Sequence, residues 1–421
     1  MNKLKSIILV SLTLLFSCQT YTGTNLQENT QTQILSEDIN TQGSSGFTVV
    51  KTLDNPKFWN KIELIRATNE SIDPELMLQR GRHRDQDIIN TFGTDLPPAT
   101  DFCLHDMGEP KELKNKTPIL LIHGANTTAT RSWADPEGDG KKQGLAQYLK
   151  SKGFRVFAIT FSNKHGDSFV WSSHVGRAIE RIKQITKAEK VDALGHSKGG
   201  FTLRLHTSNV FDKINPFKKN IRKAMFIGAP HRGIDFSFRH PVINWGLIED
   251  DGNAVKYAPL SWKKMLWKGQ WIETKEMYID SGYFKGQLQM LARLDKVYPL
   301  PMVEQDWYTS YNGGQGFTSY TDGIDVLIKK GGNIVDKLMK SPVDPSVKVY
   351  NLAGDKNNVP GILNEYTGKS DGVLFTYSAS ATKDLTGNGA VLADSKVMNL
   401  NHLDLVSAPE AMDWISKSFA D

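Results

Sequence analysis

Gly195-His196-Ser197-Lys198-Gly199-Gly200 is where the residue types and spacing of this 421-residue chain could do chemistry most directly. A serine stands between two glycines in a G-x-S-x-G pattern, after the apolar run Val191-Asp-Ala-Leu194 and ahead of a stretch that reads as a helix. A sharp strand-to-helix turn forces its central residue into a strained backbone conformation, so the residues two positions away must lack side chains. In return, a hydroxyl is held above a sheet, over a helix N-terminus whose dipole and N–H groups favour developing negative charge. A serine hydroxyl is a weak nucleophile until a base takes its proton. His402, in Asn401-His402-Leu403-Asp404, is the candidate base. Two aspartates compete to orient it: Asp371, in Ser370-Asp371-Gly372-Val373, and Asp355, which follows the late apolar run Val347 to Leu352.

A second motif, Ile122-His123-Gly124-Ala125, ends the apolar run that starts at Ile119. With both motifs in view, the sequence resembles the α/β-hydrolases and, more closely, the bacterial true lipases. Gly228-Ala-Pro-His-Arg-Gly233 and the two late segments around Asp371 and His402 fit the same pattern. The resemblance covers residues 117–421 apart from one insertion, and does not reach residues 19–116. It implies a triad of Ser197, Asp371 and His402, in the chain order of that fold, and an oxyanion hole made by the backbone N–H groups of Ala125 and Lys198. It favours Asp371 as the acid, because Asp371-Gly-Val followed by Ser378-Ala379 is similar to the lipase pattern, and leaves Asp355 as the alternative. It also implies a structural calcium held by Asp355 and Asp404, with carbonyls and water completing the six to eight oxygens such an ion takes. The competing reading is that Asp404 hydrogen-bonds the loop that positions His402. The chemistry itself would need no cofactor. His123, His196 and His231 recur at structural positions of the matched motifs, Cys103 reads as a small buried hydrophobe, and Asp192 as a buried residue with a local partner.

The implied activity is hydrolysis of carboxylic esters, as a lipase or esterase for medium or long acyl groups. A polyester depolymerase, such as one acting on polyhydroxyalkanoate, would share the fold and triad, and an alcohol in place of water would make an acyltransferase. A binding lipoprotein that kept the fold without the chemistry is the alternative of another class, and an intact Ser, Asp and His argues against it.

The elements that must position these residues alternate. Runs at Ile119–Ile122, Phe154–Phe161, Val191–Leu194, Ala224–Ile227 and Val347–Leu352 read as buried strands, with helices over Gly144–Lys152 and Ser172–Lys187. Strands alternating with helices predict an α/β architecture with a mostly parallel sheet covered on both faces. Upstream, Phe47–Leu53 alternates like a strand and Asp85–Phe92 reads as a short helix, within a segment 47–116 expected to cover the main domain. The catalytic domain is expected over 117–421, interrupted at about 234–342 by an aromatic-rich insertion. That insertion holds Trp245, Trp262, Trp267, Trp271 and Trp307, five of the nine tryptophans, and reads as a cap or lid over Ser197.

Lys+Arg 51 against Asp+Glu 46 gives a formal charge of +5, with no basic tail or stripe, which excludes nucleic-acid binding through bulk charge. Residues 1–17 read as a signal peptide, with Lys3 and Lys5 ahead of the apolar stretch Ile7 to Phe16. The ending Leu15-Phe-Ser-Cys18 resembles a bacterial lipobox, which implies lipidation at Cys18, and Gln19 after it favours the outer membrane. Ordinary secretion with a chance cysteine is the alternative. Residues 18–46 are rich in Gln, Thr, Asn, Ser and Gly and are expected to be a flexible tether.

Overall fold

The apolar runs become strands whose alternate residues feed two different cores. The computed structural model describes residues 46–68, 83–208, 210, 216–240, 285–300, 311–315, 320–387 and 389–420. The strands are β1 (Phe47–Asp54), β2 (Lys61–Ala67), β3 (Asp101–Asp106), β4 (Asn115–Ile122), β5 (Phe154–Phe161), β6 (Val191–His196) and β7 (Ile221–Ile227), then the two-residue pair β8 (Gly314–Gln315) and β9 (Tyr320–Thr321), and finally β10 (Lys348–Gly354) and β11 (Val391–Met398). Nine of them form one sheet in the order β1-β2-β3-β5-β4-β6-β7-β10-β11. From β5 through β11 every neighbour is parallel, while β1, β2 and β3 extend the sheet antiparallel on the β5 side. In β4, Ile119 and Leu121 enter one core with Leu145, Leu149, Ile415 and Phe419. Leu120 and Ile122 enter the other with Trp171, Val175, Ile179 and Leu203. A strand buried on both faces must be apolar at every position, which is why these runs are continuous.

The helices are α1 (Gln86–Phe92), α2 (Leu145–Ser151), α3 (Ser168–Thr186), α4 (Lys198–Thr207), α5 (Lys285–Met290), α6 (Ile324–Lys330), α7 (Ile334–Met339) and α8 (Pro409–Ala420), with a few single turns between them. They cover both faces, α2 and α8 on one and α3 and α4 on the other. This is the α/β-hydrolase architecture that the sequence resemblance implies. Helix α3 starts four residues before the expected Ser172, because Asp167 caps it: its side chain accepts the Phe169 N–H at 2.7 Å.

Residues 47–116 do more than cover the domain: they supply β1, β2 and β3 to the same sheet. Strands β2 and β3 escaped the sequence reading because polar residues interrupt their apolar runs, and the partners that make those residues tolerable lie far away in sequence. Glu63 in β2 is held by both Arg181 Nε and Nη2 at 2.8 Å. In β3, His105 bonds Thr160 Oγ1 at 2.8 Å, and Asp106 pairs with Arg155. Strand β11 escaped for the opposite reason, being an exposed edge with little apolar burial. Cys103 is buried as expected, and burial pushes its thiol pKa up. Asp192 finds its local partner in Arg222, with contacts of 2.9 and 2.5 Å.

All five tryptophans of the insertion lie outside the described residues. What is described has an apolar cluster of its own, Phe238, Leu288, Leu291, Tyr311, Ile324 and Leu327. A second cluster packs Met290, Ile334, Val335 and Leu338 on Phe201 and Leu205 of α4.

Candidate active site

Strand order locates the site before any side chain is considered. The chain passes from β4 to β5 on one side, and β6 lies on the other side of β4. A crevice opens beyond the carboxyl ends of parallel strands at such a reversal. Two loops meet there, His123–Ala125 after β4 and Ser197 after β6, with Ile122 paired to Gly195 in the sheet.

Ser197 has φ 54° and ψ −124°, a backbone region that L side chains rarely adopt. Its N–H donates to Ile227 O of β7 at 2.9 Å, and its own carbonyl accepts from Phe201 N–H at 3.1 Å, so sheet and helix grip the turn from both sides. The flanking glycines are required by close approach: a Cβ on Gly199 would collide with the carbonyl oxygens of Ile122 and His123, and one on Gly195 with Gly199 O. Lys198 opens α4 as its first residue, where backbone N–H groups lack intrahelical acceptors. Its side chain is fully buried, with the ammonium 3.0 Å from the centre of the Trp171 ring, a cation–π contact that sequence pattern gave no means of anticipating.

The structure pairs His402 with Asp371. Nδ1 of His402 donates to Asp371 Oδ2 at 2.7 Å, and His402 N–H bonds Asp371 O at 2.8 Å. The other carboxylate oxygen, Oδ1, accepts N–H groups from Val373 at 3.0 Å and Leu374 at 2.7 Å, which fixes the carboxylate plane. Asp371 is wholly buried and His402 nearly so. His402 is tied to the serine loop through His196, whose Nε2–H donates to His402 O at 3.0 Å. The two rings lie 4.7 Å apart, and burial, reinforced by the neighbouring imidazole, keeps the His196 pKa well below its ordinary value. The residue inside the serine motif that looked merely structural therefore clasps the candidate base.

Asp355 takes no part in that pair: its N–H bonds Met398 O at 3.1 Å, and its Oδ1 is buried without a hydrogen-bond partner. Asp404 Oδ2 accepts the Asn401 amide at 2.7 Å, and the same Nδ2 reaches Asn358 Oδ1 at 3.1 Å. Asn401 Oδ1 in turn accepts the N–H groups of Leu403 and Asp404 at 3.0 Å each. The Asn401 amide thus bridges Asp404 and Asn358, and Asp404 secures the loop carrying His402. Among the described residues no group of three or more His, Cys, Asp or Glu side chains could hold a metal ion. Of the two carboxylates implied for calcium, Asp404 is engaged by the Asn401 amide, while the buried Asp355 Oδ1 has no hydrogen-bond partner.

Glu365 is a further participant with no sequence signature. Its backbone N–H donates to Gly372 O at 2.8 Å and its carbonyl accepts from Ser370 Oγ at 2.5 Å, bracketing Asp371. Its buried carboxylate meets Arg239 at 3.1 Å and His240 at 3.3 Å, and accepts both N–H and Oγ1–H of Thr367. Burial alone would raise the Glu365 pKa, but the bond to His240 and its charge bring it below the ordinary carboxylate value. Arg239 also pairs with buried Asp235 at 2.9 Å, and Tyr311 donates to Asp235 at 2.8 Å, so the root of the insertion is joined to the loop of the candidate acid.

Residues 116–226 match the family model described as Lipase (class 2), a span that includes both the His123–Ala125 loop and Ser197. No curated protein sequence matches the chain. Among solved structures it is similar to the mature form of lipase BlEst2 from Bacillus licheniformis, at 14% identity and TM-score 0.40 over 75% of this chain and 97% of that one. It is also similar to a highly thermostable carboxyl esterase from Bacillus coagulans, at 13% identity and TM-score 0.40 over 76% and 92%. A third is Est1E from Butyrivibrio proteoclasticus, at 11% identity and TM-score 0.37 over 76% and 92%. The chain carries a lipase-like segment on an α/β-hydrolase sheet.

Proposed function

We propose that the protein is a serine hydrolase that cleaves carboxylic esters through a Ser197–His402–Asp371 triad. The observation that carries the reading is the strained Ser197 turn, whose neighbour His196 bonds the carbonyl of His402, a histidine whose Nδ1 is committed to a buried aspartate at 2.7 Å. With Nδ1 protonated and bonded, Nε2 is the nitrogen left to take the serine proton as the hydroxyl attacks the ester carbonyl. The oxyanion that forms is met by the N–H groups of Ala125 and Lys198. Collapse expels the alcohol, which takes the proton from His402, and leaves an acyl-enzyme. Water then attacks with His402 again acting as base, releasing the acid and restoring Ser197. Asp371 holds the imidazole tautomer and stabilises its cationic form. None of these steps calls for a metal or an organic cofactor.

The substrate in this reading is a lipid or other ester of medium or long acyl chain, met through the aromatic-rich insertion whose root packs on α4. Lipid attachment at Cys18 would hold the enzyme at the bacterial outer membrane, which the Lys3 and Lys5 signal, the Leu15-Phe-Ser-Cys18 ending and Gln19 support. A series of p-nitrophenyl esters of increasing acyl length, run with and without a calcium chelator, tests the reading, and tributyrin against polyester film separates lipase from depolymerase. Wild type should hydrolyse the series without loss on chelation, and Asp355→Ala should stay within about threefold of it, while Asp371→Ala falls by orders of magnitude. Activity surviving in Asp371→Ala but lost in Asp355→Ala would overturn the assignment of the acid.

A further inference from the structure

His123 is wholly buried at the end of β4, and the mechanism above does not use it. Its ring is held edge-on by Phe161 and Trp171, at 5.1 and 5.2 Å between ring centres. Both nitrogens are committed. Nδ1 lies 2.7 Å from Gly124 O, and a carbonyl can only accept, so Nδ1 carries the hydrogen. Nε2 receives the Phe161 N–H at 3.4 Å, which suits the same tautomer. Burial lowers the ring pKa to about 3, so it stays neutral and keeps one donor and one acceptor across the working pH range.

The carbonyl it holds belongs to the peptide whose other end is Ala125 N–H. In a trans peptide C=O and N–H point in opposite directions, so fixing one fixes the other. Gly124 also packs closely on the nucleophile, since a Cβ placed there would lie 3.0 Å from Ser197 Cβ. We infer that His123 is a positioning residue for the oxyanion hole: its Nδ1–H holds the Gly124–Ala125 peptide in the orientation that presents Ala125 N–H to the developing oxyanion. A flipped peptide would turn the Gly124 carbonyl toward the oxyanion and strand a buried Nδ1–H without an acceptor. This inference rests on the serine-hydrolase reading and adds a residue that touches no substrate.

The test compares His123→Asn, His123→Gln and His123→Phe for kcat and KM on a p-nitrophenyl ester, and for inhibition by a trifluoromethyl ketone, which binds as a tetrahedral oxyanion. Asparagine places an amide N–H where Nδ1 stands, and should keep kcat within about threefold. Glutamine and phenylalanine lack that donor, and should lose kcat by about 10²-fold with KM little changed, the cost of one oxyanion donor. The ketone should weaken in parallel with kcat. Equal kcat in the Asn and Gln variants overturns the inference, and this comparison holds even if the Phe variant fails to fold. A Phe variant with native unfolding and wild-type kcat overturns it as well. Absence of esterase activity in wild type would instead sink the serine-hydrolase reading itself, so the two failures are told apart.

Discussion

At Ser197 the backbone is strained where the chemistry would occur, with φ 54° and ψ −124° imposed by bonds from β7 and into α4. Strain of this kind costs about 1–3 kcal/mol and is tolerated where the surroundings over-determine it. Ser197→Ala should lose turnover on the order of 10⁶-fold while folding normally. Glycine adopts this conformation freely, so Ser197→Gly should be equally inactive yet more stable than Ser197→Ala by about 1 kcal/mol, after the entropic cost of glycine is deducted. Thermal unfolding of the two variants checks this, and a less stable glycine variant would argue against stored strain. Asp371→Asn should lower kcat by about 10⁴-fold, because an amide presents the wrong partner to the Nδ1–H tautomer. Serine, histidine and glycines at motif spacing were legible in the sequence. The roles of His196 and Glu365 were not, because they depend on contacts between segments far apart in the chain.

At the scale of elements, the parallel half of the sheet could be read from continuous apolar runs because both faces of each strand are buried. The antiparallel edge could not, since Glu63, His105 and Asp106 are acceptable inside strands only once Arg181, Thr160 and Arg155 have been brought to them. The same logic governs the junction between the insertion and the loop of the candidate acid. Arg239 sits buried between Asp235 and Glu365, and removing it would leave buried Asp235 without its cation and Glu365 with His240 alone. Arg239→Met should therefore destabilise the protein by about 3–5 kcal/mol, read as a lower urea midpoint, whereas replacing an exposed ion pair such as Lys114–Glu112 should change little. An unchanged midpoint for Arg239→Met would mean that the junction contributes little to the fold.

For the whole molecule, the near-balanced charge excludes one class of partner, and the histidines say more about its behaviour. Of ten histidines, burial lowers His83 and His206 to about 4, His105, His123, His174 and His231 to about 3, and His196 well below its ordinary value. In the unfolded chain such rings take up protons near pH 6.5, while folded they resist until about pH 4 or lower. Protonation therefore favours unfolding: the full stability is present above about pH 6.5 and falls as pH drops toward 4, by about 1.4 kcal/mol per ring per pH unit. Urea midpoints should fall steeply between pH 6.5 and 5, and a flat profile there would contradict the buried, neutral rings. The central claim, a nucleophilic serine in an ester hydrolase, is tested most directly by treating the folded protein with a fluorophosphonate probe and mapping the adduct by mass spectrometry. A single adduct on Ser197, absent from Ser197→Ala, is the predicted result; natively folded wild-type protein that remains unlabelled at Ser197 would contradict it.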